Sequence, residues 1–174
     1  MPKADGTDRV GEGISIRRGR MEDAEGFRRC LGAVARERRW LFFIDAPDPE
    51  DVERFLEESA PIQFLAERGG EIVGWCDITP SLREGCRHTG ILGMGLRAEY
   101  RGLGLGRKLL RRALEAAHAA GLTRIELEVF ASNRRAIDLY EKAGFAHEGR
   151  KRGARILDGR VEDILLMALL RPHE

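Results

Sequence analysis

The sequence predicts one mixed α/β (α+β) domain, in which a largely antiparallel sheet surrounds a parallel crossover. Composition is the first observation, because 174 residues with 43% hydrophobic and 34% charged side chains suit one packed domain. Periodicity is the second, since short alternating apolar segments are interleaved with segments of helical period. The third is the element order: strand, two helices, three strands, helix, strand, helix and two strands. This order predicts a seven-stranded sheet flanked by about four helices.

The first part of the chain is expected to hold a tail, a strand and two helices. Residues 1–13 are polar and contain Gly, which predicts a flexible tail before a single domain over residues 14–171. Apolar and polar residues alternate at 14–16, as in a strand, and residues 21–39 have a helical period. Pro49 is favourable in the first turn of a second helix.

A hairpin and a Gly-rich strand are predicted next. Residues 62–68 and 71–78 are strand-like segments joined by Gly69-Gly70, a hairpin turn. Residues 88–96 form a further strand, with Gly at 90, 93 and 95. Glycines within a strand indicate a bulge, or the close approach of a ligand or another backbone.

The last part of the chain alternates between helix and strand and ends in a second hairpin. Residues 105–120 carry one apolar stripe and are followed by Gly121, which ends the helix. A strand is expected at 124–130 and a helix at 133–143. Asp158-Gly159 is a strong hairpin signal between the final two strands.

Charge, cysteine usage and hydropathy exclude several classes of protein. A formal net charge of +1 argues against a chain built mainly to bind nucleic acid. The three cysteines, Cys30, Cys76 and Cys86, form no C-x-x-C and no zinc-like spacing with His, so no metal is expected. Cys76 lies in an apolar run and is expected to be buried. Residues 1–13 lack a signal-peptide core, and no apolar run approaches the ~20 residues that cross a bilayer. A cytoplasmic protein without membrane contact is expected.

Residues 101–107, which we name the phosphate turn, have the composition of an anion site. They follow a predicted strand and open a predicted helix, where unpaired N–H groups and a partial positive charge attract phosphates. Their three glycines allow the backbone to approach an anion closely. Arg101, Arg107 and Lys108 gather at a helix end where cations are unfavourable unless an anion binds. A solvated Gly-rich turn is the alternative.

Two common nucleotide motifs compete for this turn. A P-loop requires Ser or Thr after its Lys, whereas Leu109 follows Lys108. A dinucleotide fingerprint requires Gly where Arg107 stands, although Glu126, about 20 residues beyond Gly106, occupies the place of a ribose carboxylate. Dinucleotide binding therefore stays open as an alternative.

Two blocks resemble the GNAT family of N-acetyltransferases. Arg101-x-x-Gly104-x-Gly106 is similar to the family's pyrophosphate signature. Residues 133–145 are similar to its second signature, N-x-x-A-x-x-x-Y-x-x-x-G-F, which begins at Asn133 and includes Tyr140. The resemblance covers roughly residues 88–170 and implies a GNAT fold. The segment 14–78 matches only in its order of elements.

The resemblance implies a site for acetyl-CoA between the fourth and fifth predicted strands. The backbone of the Gly-rich strand would bind the pantetheine arm, and the phosphate turn would hold the pyrophosphate. The implied acetyl-CoA-binding residues are Met94, Leu96, Arg97, Arg101, Gly102, Leu103, Gly104, Leu105, Gly106, Arg107, Asn133 and Tyr140.

Tyr140 is the catalytic residue that the resemblance implies, as proton donor to the departing thiolate. A phenol with a pKa near ~10 can protonate a thiolate of similar basicity. Tyr140 also falls among apolar residues, so a core position with its hydroxyl paired is the alternative. Asn133 is favourable as a helix cap.

The family has no general base at a fixed position, so none is implied here. The candidates are carboxylates, an imidazole or a water chain: Asp77, Glu84, His88, Glu126, Glu128 or water. The expected acceptor is a primary amine of a small molecule or of a peptide N-terminus, attacked directly in a ternary complex. Residues 40–45, here called the acceptor wall, are rich in aromatic side chains and lie where the family's acceptor site varies. Arg150, Arg152 and Arg155 either bind a carboxylate or pair with Glu162 and Asp163.

Two further expectations concern other functions and assembly. A non-catalytic module that binds or senses acyl-CoA is the alternative from another functional class. A homodimer would fit the family.

Overall fold

The computed structural model describes residues 7–11, 13–59 and 61–171, whose strands form one sheet in the order β1-β2-β3-β4-β5-β6-β8-β7. The first four strands are β1 (Asp8–Arg9), β2 (Ile14–Arg18), β3 (Ile62–Arg68) and β4 (Glu71–Pro80). The others are β5 (Thr89–Leu96), β6 (Arg124–Phe130), β7 (Ala146–Leu157) and β8 (Arg160–Leu170). The four helices are α1 (Ala24–Ala35), α2 (Pro49–Ser59), α3 (Leu105–Ala119) and α4 (Arg134–Lys142). Neighbouring strands are antiparallel except β5 and β6, which are parallel.

The predicted architecture is confirmed, with differences at the ends of elements. Asp8–Arg9, within the predicted tail, pairs with Ser15 and Ile16 as a short additional edge strand. Residues 1–6 and 12 of that tail lie outside the described residues, and the domain bounds 14–171 stay a prediction. Helix α1 ends at Ala35 and not at 39, because Arg38 adopts a positive φ of 58° and the chain turns away. None of the described helices is long and apolar enough to cross a membrane.

The sheet is covered on both faces, and its side chains alternate between two apolar clusters. The larger cluster lies against α3 and α4 and includes Cys76 and Ile78 of β4. The second lies against α1 and α2 and includes Trp75 of β4. Because successive strand residues point to opposite faces, Asp77 shares the α1–α2 face with Trp75. Cys76 is buried as predicted, and burial holds the pKa of its thiol well above the usual range.

The glycines of β5 have different packing roles. A Cβ on Gly95 would meet the Trp75 ring at 2.3 Å, and one on Gly90 would meet Ile78 at 2.6 Å. These two glycines are therefore required by close packing of neighbouring side chains. A Cβ on Gly93 would lie 3.4 Å from the Asp77 carboxylate, an ordinary contact. Gly93 instead leaves the space in front of Asp77 open.

Candidate active site

The site is a cleft that opens where β5 and β6 separate. The two strands pair only over Thr89–Ile91 and Arg124–Glu126 among the described residues. Beyond that point β5 stays paired with β4 as far as Leu96, whereas β6 stays paired with β8 as far as Phe130. The backbone edge of β5 that faces β6 is thus left without a strand partner. A cavity of about 1450 Å³ occupies the opening and continues between the phosphate turn and the acceptor wall.

The phosphate turn presents an uncapped helix start to this cleft. Gly104 is the N-cap of α3, with a φ of 76°, and as a glycine it has no side chain to cap the first turn. The first turn has no acidic residue, and the N–H groups at a helix start have no intrahelical acceptor. Arg107 and Lys108 are exposed and form no ion pair with any described residue. As predicted, N–H groups without intrahelical acceptors and two cationic side chains lie together at the start of α3.

The Arg101 side chain is directed away from the helix start. Its Nε donates to the carbonyl oxygen of Leu96 at 2.9 Å, and its two terminal nitrogens donate to Glu37 at 2.8 and 2.5 Å. Glu37 also accepts from Trp40 Nε1 at 2.7 Å. Burial alone would raise the pKa of Glu37, but the hydrogen bonds from Arg101 and Trp40 hold it below the usual range. Arg101 therefore joins the phosphate turn to the segment between α1 and the acceptor wall.

The structure brings most of the predicted acetyl-CoA-binding residues together. Those that line the cleft are Met94, Leu96, Arg101, Gly102, Gly104, Gly106, Arg107, Asn133 and Tyr140. Arg97 does not line the cleft. Its guanidinium donates to the Glu71 carboxylate, and its backbone N–H donates to the carbonyl oxygen of Val73. Leu105 is buried in the larger core cluster, and Leu103 is exposed outside the cleft lining.

Helix α4 supplies one wall of the opening. Asn133 caps it as predicted, because its side-chain oxygen accepts from the N–H of Ala136 at 3.2 Å. Two turns later Tyr140 is 7% exposed, and its ring lies 5.8 Å from that of Phe145. No described residue makes a hydrogen bond with the Tyr140 hydroxyl, whereas a core role would call for a paired one. Burial raises the pKa of this phenol above its usual value, so the hydroxyl stays protonated at neutral pH.

The acceptor wall closes the other side of the cleft and is held by the β7–β8 hairpin. Arg155 donates to Glu162 at 2.7 Å and to the carbonyl oxygen of Leu41 at 3.5 Å, and its guanidinium lies 4.4 Å from the Phe130 ring centre. Phe42 meets Phe130 edge to face, with ring centres 5.1 Å apart. Ion pairing, one of the two predicted roles of these arginines, is present between Arg155 and Glu162 and between Arg150 and Asp163.

The candidate general bases differ in position and in partners. Asp77, Glu126 and Glu128 line the cleft, whereas Glu84 and His88 do not. Glu126 is paired with Arg124 at 2.6 Å, and Glu128 is paired with Lys151. No described residue forms a hydrogen bond or ion pair with the Asp77 side chain, which is 7% exposed. Desolvation by burial raises the pKa of Asp77 to about 7.

Comparison with known proteins agrees with this geometry. Residues 32–145 match the model of the acetyltransferase (GNAT) family. The chain belongs to the GNAT family of acetyltransferases. It is therefore an acetyltransferase with the GNAT fold, as predicted.

Several relatives of this GNAT protein are similar over nearly the whole chain. A GNAT acetyltransferase from Streptococcus pneumoniae superposes with a TM-score of 0.82 and 34% identity, covering 91% of this chain and 99% of that one. The L-amino acid N-acetyltransferase AaaT of Escherichia coli is 27% identical over 91% of this chain and 98% of its own length. A ribosomal-protein-alanine N-acetyltransferase from Brucella melitensis has a TM-score of 0.81 and 25% identity, covering 90% of this chain and 99% of that one.

Two other comparisons are more limited. The mycothiol acetyltransferase of Streptomyces avermitilis is 40% identical over a matched segment that covers 49% of this chain and only 27% of that protein. The Salmonella typhimurium acetyltransferase yncA, solved with acetyl-CoA, shares the fold with a TM-score of 0.82 at 20% identity. Among the described residues, no group of three or more His, Cys, Asp or Glu side chains is placed to hold a metal ion.

Sequence reasoning missed Glu37 and the positioning role of Arg155. Glu37 lies 64 residues from Arg101, and Arg155 lies 114 residues from Leu41. No local spacing in the sequence indicates either contact, because both depend on how the chain folds back across the cleft.

Proposed function

We propose that this protein is an acetyl-CoA-dependent N-acetyltransferase that acts on a primary amine of a small molecule or a peptide N-terminus. The amine attacks directly in a ternary complex. The observation that carries the proposal is Tyr140, which lines the cleft between β5 and β6 and whose hydroxyl has no hydrogen-bond partner among the described residues. Acetyl-CoA supplies the activated acetyl thioester.

The cleft has the donors that a pyrophosphate requires. Backbone N–H groups of the phosphate turn and of the first turn of α3 would hold the two phosphates, as helix starts do in other phosphate sites. Arg107 would add charge without first losing an ion pair, whereas Arg101 would keep the turn in place through Leu96 and Glu37. Gly106 lies in this first turn, where a Cβ would approach Leu139 and Met94.

The unpaired edge of β5 fits an extended pantetheine arm. Apart from the Leu96 carbonyl, which accepts from Arg101, the backbone groups on this edge from Leu92 to Leu96 can hydrogen-bond an amide-containing chain as another strand would. An N–H on this edge, fixed by pairing of β5 with β4, would stabilise the negative charge that develops on the carbonyl oxygen.

Tyr140 is the proposed general acid. Its phenol stays protonated at neutral pH and lies on the α4 side of the opening, where it would deliver a proton to the departing sulfur. Asn133, at the start of the same helix, fixes the N-terminal end of α4 through its cap and lines the same cleft.

An α-amine is the favoured acceptor. One relative is named for L-amino acids and another for an alanine of a ribosomal protein, both of which carry α-amino groups. The acceptor wall and Phe130 offer aromatic surface for a side chain of that substrate. A cytoplasmic location and a homodimer remain part of the proposal.

An acceptor screen tests this function. Thiol release from acetyl-CoA should be measured with free amino acids, short peptides with different N-terminal residues, and the same peptides with blocked N-termini. Amine-dependent turnover with free but not blocked α-amines supports the proposal. Tight acetyl-CoA binding without turnover on any amine would support a non-catalytic acyl-CoA module instead, and thermal stabilisation by NAD but not CoA would support dinucleotide binding.

A further inference from the structure

We propose that Asp77 is the general base that takes a proton from the ammonium group of the acceptor. The inference rests on the proposed N-acetyltransferase function and names a catalytic residue that the family resemblance leaves open. Three observations carry it. Asp77 lies on β4, between β3 and β5; none of the described residues is a cationic partner of its side chain; and it lies on the opposite face from Tyr140.

Asp77 is the middle one of three paired residues on neighbouring strands, and its side chain lies on the α1–α2 face of the sheet. Gln63 of β3 is its partner on one side and Gly93 of β5 on the other. Gln63 is 4% exposed, and its Nε2 has no hydrogen-bond partner among the described residues. Gly93 adds no side chain, so the Asp77 carboxylate stays accessible from the cleft. A buried carboxylate with no hydrogen-bond partner among the described residues and an open space in front of it is costly unless a ligand uses it.

Asp77 and Tyr140 lie on opposite faces of the same opening. Cys76 belongs to the cluster on the α3–α4 face together with Tyr140, so the next residue, Asp77, points to the other face. A thioester held along the unpaired edge of β5 would therefore have the carboxylate on one side and the phenol on the other. That arrangement suits a reaction in which the amine enters from one side and the sulfur leaves from the other.

The other carboxylates of the cleft have cationic partners. Glu126 and Glu148 share Arg124, Glu128 is paired with Lys151, and Asp51 is paired with Arg54. These acidic groups and Asp77 face the cleft from β4, β6, β7 and α2, while β5 contributes no charged side chain to the lining. On β3 the residue paired with Asp77 is the uncharged Gln63. Burial raises the pKa of Asp77 to about 7, close to the working pH that suits a general base.

The proton balance of the reaction is complete with these groups. Asp77 accepts one proton from the ammonium, and the freed nitrogen lone pair forms the C–N bond while the C–S bond breaks. Tyr140 gives its proton to the departing sulfur and recovers one from the solvent. The nitrogen releases its second proton to solvent on becoming an amide, and Asp77 returns its own proton to solvent. Two protons are released and one is taken up by Tyr140, so one proton is released overall.

The pH profile of kcat/KM for the amine tests the role of Asp77. Asp77→Asn should lower this value about 10²-fold at pH 7, as loss of a general base does. The loss should shrink as the pH passes the pKa of an α-amino group, about 8, because free amine then needs no base. The Kd for acetyl-CoA should change less than about twofold, since Asp77 is absent from the predicted acetyl-CoA-binding set.

Gly93→Ala is a second variant that keeps the carboxylate. Its methyl group would lie 3.4 Å from the carboxylate oxygen and restrict approach of the amine, so KM for the amine should rise. Gly85→Ala is the matched control, because a Cβ there meets nothing within 4 Å and Gly85 lies outside the cleft lining.

Each outcome bears on one proposal. An Asp77→Asn profile that parallels the wild-type profile, or the same pH-dependent loss in Glu128→Gln and not in Asp77→Asn, would overturn the role of Asp77. If Asp77→Asn does not fold, unchanged kinetics of Gly93→Ala would overturn it. Failure of the N-acetyltransferase function itself would appear as no turnover in the wild-type protein, before any variant is compared.

Discussion

Glu37 and Arg101 join the two halves of the cleft through a pair of hydrogen bonds, of 2.8 and 2.5 Å, across 64 residues of sequence. Arg101 belongs to the phosphate turn, and Glu37 precedes the acceptor wall, where it also accepts from Trp40. The pair is about three-quarters buried or more, so part of its charge is shielded from solvent. The cofactor side and the acceptor side are thus physically connected.

Glu37→Gln tests this connection. The substitution removes the negative charge and one acceptor oxygen, which should lower the free energy of unfolding by about 1 kcal/mol. Because the hydrogen bond that anchors Trp40 is weakened, KM for the amine should rise more than KM for acetyl-CoA. Denaturant unfolding and steady-state kinetics measure both effects, and Glu99→Gln, an exposed partner of Arg97, is the control. Equal changes in both KM values would contradict a role at the acceptor wall.

Gly104→Ala tests the phosphate turn. Gly104 has a φ of 76°, and a Cβ there meets no neighbouring atom, so the cost of about 1–2 kcal/mol is purely conformational. A shifted turn would misdirect its N–H groups, and Kd for CoA should rise about tenfold or more. Gly121→Ala, at the far end of α3 with a φ of 89°, should lose similar stability without affecting CoA binding. Calorimetric titration with CoA would contradict the assignment if both variants bind equally well.

Arg155→Gln tests how the hairpin supports the acceptor wall. Arg155 is 12% exposed and contacts Glu162, Phe130 and the carbonyl oxygen of Leu41. We expect a loss of about 1–2 kcal/mol in stability and a raised KM for the amine, with KM for acetyl-CoA nearly unchanged. Arg152→Gln, an exposed change on the same strand, should leave both KM values as in the wild type. Unaltered amine kinetics in Arg155→Gln would show that the wall holds its position without it.

Asp77 should also affect stability in a pH-dependent way. Its pKa rises from 3.8 to about 7 on folding, so the folded state binds more protons than the unfolded state between these values. Stability from this group therefore falls as the pH rises from about 4 to 7 and stays low above that. Asp77→Asn should match the wild type near pH 4 and be more stable at pH 8. Urea unfolding at both values measures this, and a variant less stable at pH 8 would contradict a buried, unpaired carboxylate.

Local chemistry made much of the fold predictable from sequence. Gly121, the Asp158-Gly159 turn and the Asn133 cap are each determined by a few neighbouring residues, and each is found where it was predicted. The family resemblance implied an acetyl-CoA site between the fourth and fifth predicted strands, and these two strands, β5 and β6, separate in the structure.

Long-range packing accounts for what the sequence could not predict. Nothing near Arg101 in the sequence indicates that its guanidinium will bind Glu37, because the two residues meet only after α1 packs across the sheet. The four candidate carboxylates, Asp77, Glu84, Glu126 and Glu128, could not be ranked as residue types, because burial and partners distinguish them. Gly93 and Gly95 are both flanked by apolar residues in the same strand, so the sequence does not distinguish them. Of the two, only Gly95 lies against an indole ring.

The central claim is acetyl transfer with Tyr140 as proton donor, and Tyr140→Phe tests it most directly. The change keeps the buried ring and removes only the hydroxyl, so the fold and the Kd for acetyl-CoA should be nearly unchanged. On the best amine of the screen, single-turnover thiol release should fall about 10²-fold or more at pH 7. A Tyr140→Phe protein that releases thiol at the wild-type rate from pH 6 to 9 would contradict the account.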